Sequence, residues 1–245
     1  MIGLSFDTCF KQSSVALFLN GKTFTLTEER PAKQSESLAK MTEKLLIENN
    51  IEAKDLNFLL CTKGPGSFTG IRIGLSFMEG LAFGIKLKTL YLQSFASALG
   101  EFPETELSKK NNILVILKAI RETFYVQMFS PELKPIEAPQ YLNLEEVENL
   151  LKEKPVKLFG NFEGFEAFKE DIISNSALIN SENNLKVMQK FPWLLTEDKT
   201  PFYFREAIGG KTSEKIQEMS EENTAEKIQE TTEGKTVAEI RKIIN

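Results

Sequence analysis

Chemistry has few places to start in this chain. Its 245 residues include no histidine. That removes the serine–histidine and cysteine–histidine pairs, the usual imidazole metal ligand and the commonest general base. Catalysis would have to rest on Asp, Glu, Lys or a bound cofactor. Two stretches have residue types and spacing that could touch a phosphate. One is Asp7-Thr8, at the end of an apolar run, where the carboxylate could serve a nucleotide or simply satisfy the N–H groups of a turn. The other is Lys63 to Gly84, KGPGSFTGIRIGLSFMEGLAFG. Gly64 and Gly66 can take positive φ, and Pro65 disfavours helix at Gly64, so a helix begins at Ser67 or just after. Free N–H groups at such a helix start could hold an anion. The order G-P-G-S-F-T-G matches neither the lysine phosphate loop nor the dinucleotide fingerprint. Asp7, Thr8, Gly64, Gly66 and Ser67 therefore form a candidate, vestigial phosphate site, set against the plainer reading of a tight turn with close helix packing. The sequence shows no metal-ligand set and no cofactor motif.

The elements that would position these residues are readable from their periods. Residues 2–7 and 13–19 read as strands, and Asn20-Gly21 is a type I′ hairpin signal leading into the alternating run 22–27. Ser35 is expected to cap a helix reaching about Asn50, with Leu38, Met41 and Leu45 on one stripe, for which core packing is the default reading and a partner interface the sharper one. Residues 57–62 are a short apolar strand. The helix after the glycine loop carries Ile71, Leu75, Met78 and Ala82 on one face, with Gly70 and Gly74 four apart on a neighbouring strip. Residues 87–92 complete a β-β-β-α-β-α-β order.

GPGSFTGIRIGLS followed by GLA resembles the motif of the bacterial TsaB (YeaZ) family, and Pro201-Phe202-Tyr203-Phe204-Arg205 is similar to that family's closing P-x-Y-x-R. The resemblance implies an α/β protein of the actin-like ATPase fold, ribonuclease-H-like, with two lobes of mixed sheet. The opening strand-Asp7-Thr8-turn is likewise similar to the first phosphate loop of that fold. It implies a non-catalytic scaffold subunit in threonylcarbamoyladenosine (t6A) modification of tRNA. Its partners would be a TsaD-like catalytic subunit and a TsaE-like ATPase, with homodimer formation through the same helices. It places the partner interface on the two helices, at Leu38, Met41, Leu45, Gly70, Ile71, Gly74, Leu75 and Met78. In TsaD the segment similar to Ser94–Ala98 carries two metal-binding histidines four apart; here those places hold Ser94 and Ala98. The alternative is an active ATP-dependent enzyme of the same fold, using Asp7.

Composition bounds these readings. At 41% hydrophobic content the chain can bury a real core. Its net charge of −5 and lack of a basic block leave no footprint for autonomous nucleic-acid binding, so tRNA is expected only through the complex. Neither a basic leader nor an apolar run of the eighteen residues that span a bilayer is expected, and the expected location is the cytoplasm, with no membrane. Cys9 and Cys61 read as buried small hydrophobes. The domain boundaries are expected as 1–104, 105–205 and a charged, repetitive tail, 206–245. The second lobe is read as strands 113–117, 123–129 and 156–159 with helices 145–152 and 162–172, then a short helix within 181–205. In the tail EKIQE occurs twice, the two Gly-Lys-Thr triplets fail the phosphate-loop spacing, and Val237, Ile240 and Ile244 could form one or two amphipathic turns.

Overall fold

Asn20 and Gly21 adopt the two positive φ values, 49° and 90°, that a type I′ turn demands, and they join the second and third strands of the first sheet. In the computed structural model, which describes residues 1–29 and 33–204, that sheet comprises β1 (Ile2–Asp7), β2 (Gln12–Leu19), β3 (Lys22–Glu29), β4 (Phe58–Thr62) and β5 (Thr89–Leu92). Its order is β3-β2-β1-β4-β5. The first three strands are antiparallel, and β4 and β5 run parallel to β1. Helices α1 (Gln34–Glu48) and α2 (Phe68–Ile85) supply the crossovers. The short α3 (Ser94–Ala98) follows β5.

The second sheet repeats this plan. It contains β6 (Ile113–Lys118), β7 (Thr123–Phe129), β8 (Gln140–Asn143), β9 (Lys157–Asn161) and β10 (Ile172–Ser174), in the order β10-β9-β6-β7-β8. Again the first three strands form an antiparallel meander, and the last two are parallel to the first. Two copies of one 3-2-1-4-5 sheet are the duplicated ribonuclease-H-like architecture of the actin-like ATPase fold, as expected. Helix α4 (Leu144–Glu153) is held by a capping box: Asn143 accepts from Glu146 N–H, and Glu146 accepts from Asn143 N–H. Its Val147 and Leu151 pack on Leu114, Ile116, Phe124 and Leu158.

The described residues group into two units, one of Met1–Glu101 with Leu178–Tyr203 and the other of Phe102–Ala177 with Phe204. A single cut after residue 104 therefore misassigns residues 178–203, which return to the first unit. Helix α5 (Ser181–Lys190) packs on the first sheet. There Asn184 donates to Phe6 O and Thr62 Oγ1, while Ser14 Oγ accepts from Ser181 N–H. Three local expectations also change. Helix α1 starts at Gln34 after Lys33 with no side-chain cap, and Ser35 does not cap it. The segment 162–172 is a broken 3-10 turn over Glu166–Asp171, because Phe165 sits at φ 67° and Phe168 leaves helical geometry. Helix α2 has the eighteen residues and the apolar composition of a membrane span, contrary to the reading that no stretch comes close. Its inner face nevertheless packs on the first sheet, with Ile71 and Met78 fully buried. Arg205 and the tail, 206–245, lie outside the described residues.

Candidate functional site

The candidate phosphate residues do converge, but they pack into one another. Ser67 caps α2, its Oγ accepting from Gly70 N–H at 3.1 Å. The N–H of Ser67 donates to Cys9 O at 2.7 Å, so a donor that an anion would need serves the β1–β2 turn instead. Thr8 Oγ1 donates to Gly70 O at 2.6 Å. The glycines make this contact feasible. A Cβ on Gly66 would collide with Cys9 O, one on Gly70 with Thr8 O, and one on Gly74 would lie 2.5 Å from Thr8 Oγ1. The strip of Gly70 and Gly74 therefore receives the turn after β1, within the same unit.

The other wall of the loop is closed by the returning chain. Phe202 N–H donates to Lys63 O, and a Cβ on Gly64 would strike Phe202 O. Lys63, 6% exposed, extends its Nζ to Asp198 O at 2.8 Å and Asp198 Oδ2 at 3.1 Å. Partial burial of Asp198 works against its charge, but hydrogen bonds from Thr200 and the Lys63 ammonium hold its carboxyl well below the usual range. On the β5 side, Ser94 N–H donates to Gly64 O and Ser94 Oγ to Pro65 O at 2.6 Å. The position that would carry an imidazole thus fastens the loop, and Ala98 is fully buried.

Asp7 is fully buried at the end of β1. Its Oδ1 accepts from Cys9 N–H at 3.3 Å, while Oδ2 has no partner. Desolvation pushes its carboxyl up to about 6, against the opposing pull of the Thr62 side chain and the Cys9 N–H. Burial also pushes the Cys9 and Cys61 thiols well up, which leaves them as inert core groups. Among the described residues no three acidic or cysteine side chains gather to hold a metal ion.

The interface expectation is corrected residue by residue. Leu38, Met41, Leu45, Gly70, Ile71, Gly74, Leu75 and Met78 are all buried within the first unit, most of them against Leu4, Phe6, Val15, Leu17 and Leu59 of the sheet. A side chain committed to its own core cannot also meet a partner. What the two helices present outward is different. Ile73, Phe77, Gly80 and Gly84 recur at four, three and four residues along α2, and nothing lies within 4 Å of where a Cβ on Gly80 or Gly84 would stand. Phe83 is 89% exposed and Ile47 of α1 is 67% exposed. Between the helices runs a shallow groove of about 510 Å³, lined by Ala39, Thr42, Glu43, Leu46, Ile47, Ile51 and Phe77. The signal for this face was present in the sequence: α2 is apolar nearly all round, and a helix of that kind has a second face to cover. At the start of α2 the Arg72 guanidinium lies 3.6 Å from the centre of the Phe68 ring, and its Nε donates to Tyr203 Oη.

A family model described as TsaD, tRNA N6-adenosine threonylcarbamoyltransferase, matches residues 28–240. The tRNA threonylcarbamoyladenosine biosynthesis protein TsaB of Buchnera aphidicola (from Acyrthosiphon pisum) is 25% identical over 203 residues, covering 81% of this chain and 86% of that protein. TsaB of Escherichia coli K12 is 36% identical over 84 residues, 34% of this chain and 36% of that protein. Among solved structures, YeaZ from Pseudomonas aeruginosa superposes with a TM-score of 0.63 at 23% identity, over 78% of this chain and 92% of that one, a likeness of fold.

Proposed function

Because this chain belongs to the TsaB (YeaZ) family, within the group that the TsaD family model matches, we propose that it serves t6A biosynthesis by holding a TsaD-like transferase rather than by performing the transfer itself. The observation that carries the reading is the outward face of α1 and α2. It sets an apolar stripe and two open glycines beside a groove, on a chain whose glycine loop is filled by its own backbone. Exposed apolar faces of this kind mark sites of association. A helix from the partner can approach closely over Gly80 and Gly84 and bury Phe77, Phe83 and Ile47. The chemistry then stays with the transferase, tRNA is reached through the complex in the cytoplasm, and a TsaE-like ATPase joins the assembly. The same face would serve a homodimer when the transferase is absent.

Each large apolar side chain fully buried contributes about 1.5–3 kcal/mol, so a charge in its place should weaken association by more than about tenfold. Calorimetric titration of the TsaD-like subunit into Ile47→Glu and Phe83→Glu tests this. Both side chains are exposed, so both variants should melt like the parent. Unchanged affinity in both would remove the interface from this face.

A second reading, an ATP-dependent enzyme, is favoured by one observation, the unpartnered Oδ2 of buried Asp7. Steady ATP turnover by the purified chain, abolished by Asp7→Asn, would establish it in place of the first.

A further inference from the structure

We propose that two copies of this chain join edge to edge through β3, paired antiparallel about a twofold axis at Thr25, so that their first sheets become one. The inference uses neither the helix face nor the transferase.

The first observation is that β3 lacks what blunts the other sheet edges. Soluble proteins protect an edge strand by making it short, by a proline or a bulge, or by covering it. The edges of the two sheets are β3, β5, β8 and β10. Of these, β5 and β8 have four residues each and β10 has three, and β5 is bridged besides by Thr196, which exchanges both backbone hydrogen bonds with Tyr91. By contrast β3 has eight residues, no proline and an unbroken register with β2 from Lys22 to Glu29. The two-residue turn makes Leu19 and Lys22 a hydrogen-bonded pair, and such pairs alternate along the ladder. Lys22, Phe24, Leu26 and Glu28 thus turn their N–H and C=O groups toward β2, while Thr23, Thr25, Thr27 and Glu29 turn theirs to the open edge. No other described residue bonds to those outward groups. The second observation is that the strand, KTFTLTEE, is complementary to itself. In an antiparallel pair centred on Thr25, Lys22 stands opposite Glu28, Thr23 opposite Thr27 and Phe24 opposite Leu26, each twice, and Thr25 meets its own copy. The threonines form the hydrogen-bonded pairs that the outward groups require, and the charged and apolar residues form the closer pairs between them. Opposite charges and threonines directly across a ladder stabilise it, and Phe24, 36% exposed, gains a cover. Glu28 accepts from Ser37 Oγ at its Oε2, which leaves Oε1 to face Lys22 of the second copy. Shifted by one residue either way, to a centre at Phe24 or Leu26, the same pairing sets no acid opposite Lys22. Charge therefore selects both the occupant and the register.

The test uses the full chain carrying Ile47→Glu and Phe83→Glu, which blocks pairing through the helix face and leaves β3 intact. Sedimentation over a concentration series should show a dimer, with a Kd of about micromolar order for an interface this small. Adding Lys22→Glu sets like charges against Glu28 twice and should weaken the dimer by about tenfold or more; adding Glu28→Lys to that variant should bring the affinity back to within about threefold. Thr25→Pro replaces an outward N–H with a ring, which an edge strand accommodates but a paired one does not, and should leave a folded monomer. If Thr25→Pro does not fold, the charge exchange decides alone. A monomer in the starting chain overturns the proposal and leaves the β3 edge to a strand of another protein. It is overturned equally by a dimer that Lys22→Glu leaves unchanged, or by a loss that Glu28→Lys does not restore.

Discussion

Gly70→Ala sets two physical effects against each other on one helix. Propensity alone favours the change: alanine in a helix interior is worth about 1 kcal/mol over glycine. Packing opposes it, because the new Cβ would collide with Thr8 O in the turn after β1. Overpacking of this kind costs about 1–3 kcal/mol. If α2 backs away, Thr8 Oγ1 loses its 2.6 Å bond to Gly70 O in a buried site, and a stranded polar group costs about 1–3 kcal/mol. The net expectation is a loss of about 1–5 kcal/mol, a fall in Tm of roughly 2–20 °C for a chain of this size. Gly80→Ala on the same helix has open space around the added methyl, so only propensity acts, and Tm should rise by about 1–4 °C. Calorimetry or denaturant titration of the two variants beside the parent decides the matter. If Gly70→Ala melts at or above the parent, the account of the glycine strip as a seat for the β1–β2 turn is wrong.

Asp7 has its folded pKa raised to about 6 by burial, above the usual unfolded value near 4, so between those limits the folded state binds more protons and stability falls as pH rises. Asp7→Asn should remove that dependence and raise stability at pH 7 by about 3 kcal/mol at most; parallel pH–stability curves for parent and variant would exclude the buried carboxylate as its source. Asp198→Ala leaves Lys63 buried with a lost carboxylate, and since Asp198 is itself partly exposed a loss of about 1–3 kcal/mol is expected by urea titration, with no change meaning that the strap over the glycine loop is incidental. Asn143→Ala breaks the capping box of α4 and should cost about 1 kcal/mol by the same measurement. Leu45→Glu, at a position 3% exposed, should unfold the first unit, and a variant that melts like the parent would put Leu45 outside the core.

The order of elements in the first unit was legible because its signals are local: Asn20-Gly21 specifies a turn, alternation marks β3, and Pro65 with Ser67 fixes where α2 begins. The second unit was less so. Its β8, QYLN, and β10, IIS, have four and three residues, too few for a period to show, and Phe165 in the left-handed region breaks a pattern that otherwise reads as helix. What covers the inner side of each helix was not legible for a different reason. Periodicity identifies the stripe through Leu38, Met41 and Leu45 but not what covers it, and the covering sheet is the chain's own. Gly70 and Gly74 are equally ambiguous in sequence, since a bare strip admits an internal turn or an external helix. The return of residues 178–203 to the first unit depends on long-range contacts such as Asn184 with Thr62, for which the sequence carries no local mark.

The claim that the chain serves t6A synthesis as a holding subunit is tested most directly in cells depleted of it, by mass spectrometry of threonylcarbamoyladenosine in bulk tRNA. Depletion should lower the modification. The parent and Asp7→Asn should both restore it, whereas the doubly charged variant Ile47→Glu with Phe83→Glu should not, although it accumulates to the parent's level. Undiminished t6A on depletion, or a stably folded Asp7→Asn protein that fails to restore it, would contradict the account.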